Sequence, residues 1–256
     1  MHVLALVLLL LLASTATQAR VVSIVEPSLG LAFTETEVIA HAEPAKSALM
    51  ERLRRSDGLG CVATCAVVGA VWRDLQPVIA AQRTGRLVAF ELVVVRDPAI
   101  NALSFPDGTI VVSESFIARQ APGPAELAFV LAHEVAHVLL QHERQSLTSM
   151  LALIPSRAQR TPQDVYTEME FNYFALADSM QLVFHQVERE ADELGLQLAA
   201  LAGHAPHAQL RFLERASAQE SPQQSMVSTH PDMASRLAGL RRLLPLALRL
   251  WEVGQQ

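Results

Sequence analysis

The chain has 256 residues, of which 51% are hydrophobic, and it carries a formal net charge of −6 at pH 7. This apolar content is typical of a folded domain with a sizeable core and argues against a disordered chain. The acidic balance, without any polybasic run, argues against a nucleic-acid-binding surface. Beyond the N-terminus, no stretch reaches membrane-spanning length without charged residues.

Residues 1–19 are typical of a secretory signal peptide. The apolar run from Leu4 to Leu12 is too short to span a bilayer comfortably, and small and polar residues follow it. Cleavage after Ala19 or, alternatively, after Ala16 would leave residues 20–256 as a single domain. Because this leader carries almost no positive charge, an uncleaved N-terminal anchor is the other interpretation.

The segment after the leader is predicted to be helical. A charged helix is predicted over residues 43–56, and a second helix, rich in alanine and valine, over about 61–83. The second helix contains the two cysteines of the chain, Cys61 and Cys65. A single pair lacks the further ligands that a structural zinc site needs. In an exported protein the two can form a disulfide, and otherwise they would be small buried apolar residues; the sequence leaves both open.

Runs of β-branched residues then predict a small sheet. Strands are expected at 87–95, 101–105 and 110–113, with a turn at Pro106–Gly108 before the third strand. From about residue 115 onward the pattern is helical. Helices around a small antiparallel sheet define an α+β fold that is mainly helical.

Residues 145–170 do not fit this helical pattern. Pro155 and Pro162 interrupt the segment, and its mixture of polar and apolar residues has no clear period. A loop of this length in a compact domain is usually functional or mobile, so we predict a lid here.

The most informative motif is H-E-x-x-H at 133–137, within an apolar stretch from Ala125 to Leu140. On a helix, His133 and His137 lie one turn apart on the same face, where two imidazoles can bind one Zn²⁺. Glu134 lies about a quarter turn away and can act as a base on an attacking water. Burying three such side chains without a partner is costly. The motif therefore predicts metal-assisted hydrolysis.

A catalytic zinc site needs a third protein ligand. The H-E-x-x-H-x-x-G-x-x-H class is excluded because Glu143 stands where its third histidine would be. His142 should lie on the opposite side of the helix from His133, as a surface residue. Glu188 and Asp192 are four residues apart on one helical face. One of these two can bind the metal while the other accepts the N–H of a ligating imidazole.

In this combination of motifs the chain resembles the gluzincin zinc metallopeptidases of the CaaX-prenyl-protease, HtpX and BepA type, over roughly residues 85–242. Residues 101–108, N-A-L-S-F-P-D-G, are similar to the family's N-A-F-A-x-P-G-G strand and turn. Residues 188–192 match its E-x-x-A-D helix, and residues 228–231 match its S-T-H-P element. Without further transmembrane or repeat segments in this sequence, the chain is most similar to the soluble, exported BepA-like members that lack the repeat domain.

The resemblance implies a zincin-like metallopeptidase domain of the α+β class, with Zn²⁺ as its cofactor. The metal ligands that it implies are His133, His137 and Glu188. It assigns Glu134 as the catalytic base and leaves Asp192 to accept the N–H of a ligating imidazole.

Two further residues have alternative assignments by the same resemblance. Glu190 is an alternative metal ligand, but the family pattern places the ligand four residues before the aspartate. His230, in the S-T-H-P element, is expected near the metal, either to stabilise the oxyanion or as a movable fourth ligand that closes the site. A loop histidine without a role is the other interpretation of His230.

We therefore predict a zinc-dependent endopeptidase, exported to a bacterial periplasm, that hydrolyses unfolded or misassembled envelope proteins in quality control. Peripheral association with a membrane is compatible with this prediction, and nucleic acid is not an expected partner. The alternative is a non-proteolytic zinc-containing chaperone or binding protein of the envelope. A permanently bound His230 would favour that alternative, whereas the intact Glu134 argues against it.

Overall fold

The computed structural model describes residues 22, 24, 30–82, 88–120, 122–154, 160–219 and 233–256, so the predicted leader at 1–19 lies outside the described residues. The α+β class is confirmed, with helices packed around a three-stranded sheet. In chain order the elements are α1 (Glu35–Arg55), α2 (Cys65–Gln82), β1 (Glu91–Val95), β2 (Ala102–Ser104), β3 (Thr109–Ser113), α3 (Glu114–Gln120), α4 (Pro124–Leu139), α5 (His142–Leu153), α6 (Pro162–Phe171), α7 (Tyr173–Leu201), α8 (Pro206–Gln219) and α9 (Met233–Gly254).

The sheet is mixed, and in this detail the predicted antiparallel sheet is wrong. The strand order is β1-β3-β2; β2 is antiparallel to β3, and β1 is parallel to β3. The chain reverses direction between β1 and β2 and again between β2 and β3. Two reversals leave β1 and β3 pointing the same way, with β3 in the centre of the sheet. As a result β2 is an edge strand, and it packs beside α4.

The hairpin turn is fixed both by its backbone and by a charge pair. Gly108 has φ of 97°, and its N–H donates to the Phe105 carbonyl at 3.0 Å. A Cβ at Gly108 would come within 2.6 Å of the Ala89 carbonyl oxygen, so glycine is required here. Asp107 in this turn forms an ion pair with Lys46, which fastens the end of β2 to α1.

The irregular segment at 145–170 contains two helices, so the predicted loop is wrong for its described residues. α5 covers the first part, and α6 begins at Pro162. Thr161 caps α6 and forms a capping box with Asp164. Proline at the first position of a helix starts it rather than breaking it, because its missing N–H would have no partner there in any case. Residues 155–159, with Pro155, lie outside the described part.

The two cysteines are joined by a disulfide that precedes α2. The helix predicted over 61–83 therefore starts later, at Cys65. The Glu114 carboxylate accepts backbone N–H groups of residues 62–64 at 2.7 to 3.1 Å. These hydrogen bonds, the one from Thr64 foremost, lower the pKa of Glu114 to about 2. The start of α2 is thus tied to the junction of β3 and α3.

α4 is the central helix. It packs against α2, α7 and α8, and it contacts β2 and β3. Its side chains from residue 126 to residue 133 are all buried. Among the described residues, no helix combines the length and apolar character needed to cross a bilayer.

α7 approaches the backbone of α4 closely at Gly195. A Cβ at this position would lie 2.9 Å from the backbone nitrogen of His133 and 3.0 Å from its Cα. Because the nearest atoms are backbone, no side chain can rotate to make room. Gly195 therefore sets the distance between the two helices that carry the candidate site.

We expect Gly195→Ala to destabilise the protein by about 1–3 kcal/mol, since the extra methyl forces α7 away from α4. Gly69→Ala is the matched control. Gly69 lies inside α2, and a Cβ added there would meet nothing within 4 Å, so the change should be neutral or stabilising by up to about 1 kcal/mol. Urea unfolding of both variants measures the difference, and equal effects would contradict the assigned role of Gly195.

Candidate metal centre

The candidate metal centre lies between α4 and α7. The Nε2 atoms of His133 and His137 are 3.0 Å apart. Glu188 on α7 faces both imidazoles, with its Oε2 3.4 Å from Nε2 of His133 and its Oε1 3.4 Å from Nε2 of His137. Among the described residues, these three form the group whose ligand atoms could hold a metal ion, all within 4.8 Å of one another.

The spacing of these ligand atoms suits a tetrahedral zinc site. Ligand atoms at about 2.0–2.2 Å from a tetrahedral Zn²⁺ are about 3.4 Å from one another. The two Nε2 atoms are 3.0 Å apart, and each lies 3.4 Å from one of the two oxygens of Glu188, which is close to that spacing. Two imidazoles and one carboxylate are also a common ligand set for catalytic zinc. The residues present therefore fit the metal.

Behind His133 lies a buried charge pair. Nδ1 of His133 is 3.0 Å from Oδ1 of Asp192. Arg236 of α9 donates two hydrogen bonds to the same carboxylate, at 2.7 and 2.6 Å. Burial disfavours the ionised carboxyl, but the charge of Arg236 outweighs it and lowers the pKa of Asp192. Burial lowers the pKa of His133, while hydrogen bonds to Asp192 and Glu188 raise it well above its usual range. The site thus favours a positive charge.

Behind His137 lies His142, which the sequence wrongly places on the surface. His142 is 3% exposed, and its Nδ1 is 2.9 Å from Nδ1 of His137. The surface position would require one straight helix, but Gln141 has φ of 58°, in the left-handed region, and α5 starts in a new direction after it. Burial lowers the pKa of His142 to about 4, so the ring is neutral near pH 7. Glu190 does not join the metal cluster; its Oε2 lies 3.4 Å from Nε2 of His142.

The candidate base, Glu134, has a partner on the edge strand. Ser104 Oγ donates a hydrogen bond to its Oε2 at 3.0 Å. A cavity of about 200 Å³ opens beside His137 and Glu188. Its apolar wall consists of Val38, Phe105, Pro106, Val138, Phe184 and Val187. Ser104 also lines this cavity, so the residue that holds the candidate base borders the recess.

Sequence reasoning missed Arg236, Ser104 and the contact of His142 with His137. Arg236 comes 44 positions after Asp192, and nothing in one sequence pairs residues at that separation. For Ser104 the strand motif offered a signal, because it places a hydroxyl where the resembled family has alanine. His230 and the S-T-H-P element lie outside the described residues, so the structure does not locate them.

Comparison with known proteins identifies related sequences. The family described as Peptidase family M48 matches residues 69–244. The chain is similar to the mitochondrial metalloendopeptidase OMA1 of Schizosaccharomyces pombe, 32% identical over 183 residues, which covers 69% of this chain and 53% of that protein. It is also similar to the beta-barrel assembly-enhancing protease of Escherichia coli, 29% identical over 165 residues, covering 59% of this chain and 34% of the relative. The chain therefore spans between about half and a third of the length of these relatives.

We expect Arg236→Ala to destabilise the protein by about 3–5 kcal/mol, because it leaves the buried Asp192 carboxylate without its cation. The control is Arg241→Ala, which breaks an exposed pair with Glu214 and should cost less than about 1 kcal/mol. Urea unfolding of chelator-treated protein measures both losses without a contribution from metal. Losses of similar size would show that Arg236 does not neutralise the buried carboxylate.

Proposed function

Because the chain belongs to peptidase family M48, we propose that it is a zinc-dependent endopeptidase with His133, His137 and Glu188 as metal ligands. The observation that carries this proposal is the convergence of two imidazoles and one carboxylate, with contacts of 3.0 to 3.4 Å between their ligand atoms. Glu134 follows His133 directly on the same helix. A purely structural metal site would need no base at that position.

The chain's own groups would perform the proton transfers. A zinc ion held there supplies a Lewis acid that polarises the scissile carbonyl and activates water at neutral pH. Glu134 takes a proton from the attacking water and later delivers it to the leaving amine. The hydrogen bond from Ser104 at 3.0 Å restricts the rotamer of Glu134 and so directs its carboxylate. Asp192 orients His133 by accepting its Nδ1–H.

We propose that the substrate is an extended polypeptide that pairs with the edge strand β2. Antiparallel or parallel addition to an open strand edge supplies main-chain hydrogen bonds that are independent of sequence. The apolar recess beside His137 would then accept one apolar side chain of the substrate. Such recognition selects unfolded or misassembled proteins, since a folded protein keeps its strands and apolar side chains engaged.

We also propose that the protein is exported and acts in quality control of the cell envelope. The leader-like residues 1–19 and the Cys61–Cys65 disulfide support an oxidising compartment such as the periplasm. One relative is named for β-barrel assembly in Escherichia coli, and others are named as mitochondrial. We further propose that residues 20–256 act as one peptidase domain. His230 remains a candidate oxyanion stabiliser or closing ligand, on the resemblance of its motif alone.

The direct test of this function is hydrolysis of unfolded envelope proteins by the purified chain, with and without chelator. We expect cleavage that is abolished by the chelator and restored by Zn²⁺. Inhibition by the chelator excludes a contaminating metal-independent peptidase, and restoration by Zn²⁺ excludes irreversible damage by the chelator. Zinc binding without any cleavage of extended substrates would instead favour a zinc-containing chaperone or binding protein.

Two substitutions separate the base from the ligands. Glu134→Gln should keep zinc and the fold but lose hydrolysis, because the amide cannot accept a proton from water. Glu188→Ala should lose both zinc and hydrolysis. Metal content and peptide cleavage are measured on the same preparations, and wild-type turnover by Glu134→Gln would overturn the mechanism.

Ser104→Ala should lower kcat/KM about tenfold, which corresponds to ~1.4 kcal/mol of lost transition-state stabilisation. Zinc content and thermal midpoint should stay unchanged, since the change removes one hydroxyl at the side of the cleft. Ser104→Thr, which keeps the hydroxyl, should recover activity. Ser47→Ala, which removes an exposed serine–glutamate hydrogen bond on α1, is the control. Full activity of Ser104→Ala would mean that Glu134 needs no such support.

A further inference from the structure

We propose that His142 and Glu190 are positioning residues that fix the tautomer and the orientation of His137 for metal binding. The inference rests on the proposed metal site, and it concerns residues on the far side of the ligand from the metal. It is carried by three polar side chains in series, which run from His137 through His142 to Glu190.

The first contact determines which nitrogen of His137 faces the site. Nε2 of His137 lies near Nε2 of His133 and Oε1 of Glu188, so it is the nitrogen available to a metal. The proton of the neutral ring is then on Nδ1. Nδ1 of His142 is 2.9 Å away and must act as the acceptor of that proton's hydrogen bond.

The second contact, between His142 and Glu190, agrees with the tautomer of His142 that the first contact requires. If Nδ1 of His142 accepts, the proton of its neutral ring is on Nε2. Nε2 lies 3.4 Å from Oε2 of Glu190, an electrostatic contact that is longer than the hydrogen bond between the two rings. The other oxygen of Glu190 accepts from the Gln186 side chain at 2.9 Å, which holds the carboxylate in place. Every ring in the series therefore has one consistent tautomer.

The burial of His142 has no separate structural explanation. A 3% exposed imidazole at the first position of α5 is costly unless its nitrogens have partners. The rings of His142 and His137 are nearly perpendicular, at 79°, with centroids 4.8 Å apart, and their Nδ1 atoms are 2.9 Å from each other. The left-handed turn at Gln141 places His142 there. Asp192 serves His133 in the same way, through a carboxylate instead of an imidazole.

The test compares zinc affinities, measured by competition with a chromophoric chelator, for wild type and variants. His142→Leu fills the volume but removes the acceptor, and we expect it to weaken zinc binding roughly 10–100-fold. His142→Asn keeps an acceptor oxygen near the position of Nδ1 and should recover most of that loss. His207→Leu, at an exposed histidine, is the control and should bind zinc as wild type does.

Glu190 is tested by a second pair of variants. Glu190→Ala should weaken zinc binding by about tenfold or less, because it acts one residue further from the metal. Glu190→Gln keeps an acceptor oxygen and should lie close to wild type. Glu170→Ala, at an exposed glutamate on α6, is the matched control.

Unfolding of the metal-free variants distinguishes positioning from a general structural role. If His142 positions His137, the Asn and Leu variants differ in zinc affinity even where their metal-free stabilities agree. Wild-type zinc affinity in His142→Leu would overturn the inference while leaving the metal site intact. Failure of the wild-type chain itself to bind zinc would overturn the proposed function and this inference together.

Discussion

The burial of two carboxylates against α4 is the constraint on which the rest of the site depends. Glu188 is 6% exposed and Asp192 is 1% exposed, and charges so deeply buried must be neutralised. Arg236 neutralises Asp192, and it lies 4.0 Å from Glu188. The carboxylate of Glu188 also faces the point where His133 and His137 converge, and further positive charge is favourable there. A bound cation at that point satisfies the carboxylates and the imidazole lone pairs together.

This arrangement requires α4 and α7 to be unusually close, and Gly195 permits it. Glu188 and Asp192 precede Gly195 on α7, so the contact of Gly195 with the backbone of His133 brings both carboxylates to the imidazoles. Helix geometry predicted that His133 and His137 share one face and that Glu188 and Asp192 share another, while the family resemblance implied that the two faces meet at a metal. Residues four apart share a face whatever the rest of the fold does. The same local rule explains why the α+β class could be predicted from the strand and helix periods.

The wrong predictions have a common cause, which is that they extrapolated local regularity across a change of chain direction. His142 was placed by continuing α4 as a straight helix, but the left-handed Gln141 ends that helix. Pro162 interrupts the helical pattern of the sequence, but in the structure this proline follows a capping threonine and begins a helix. The antiparallel sheet assumed that neighbouring strands in sequence also pair, whereas β1 pairs with β3 across the hairpin. In each case one residue or one pairing choice redirects the chain.

Contacts between segments distant in the chain could not be predicted from a single sequence. They connect the proposed substrate-binding strand to the candidate catalytic base, Glu134. Ser104 belongs to β2, the strand whose open edge is proposed to bind substrate, and its side chain holds Glu134. The turn after β2 is linked to α1 through the ion pair of Asp107 and Lys46, which favours one position of the strand end relative to that helix. A substrate paired in register with β2 would therefore be aligned against the base by the same short strand. Binding and proton transfer would then depend on the same strand.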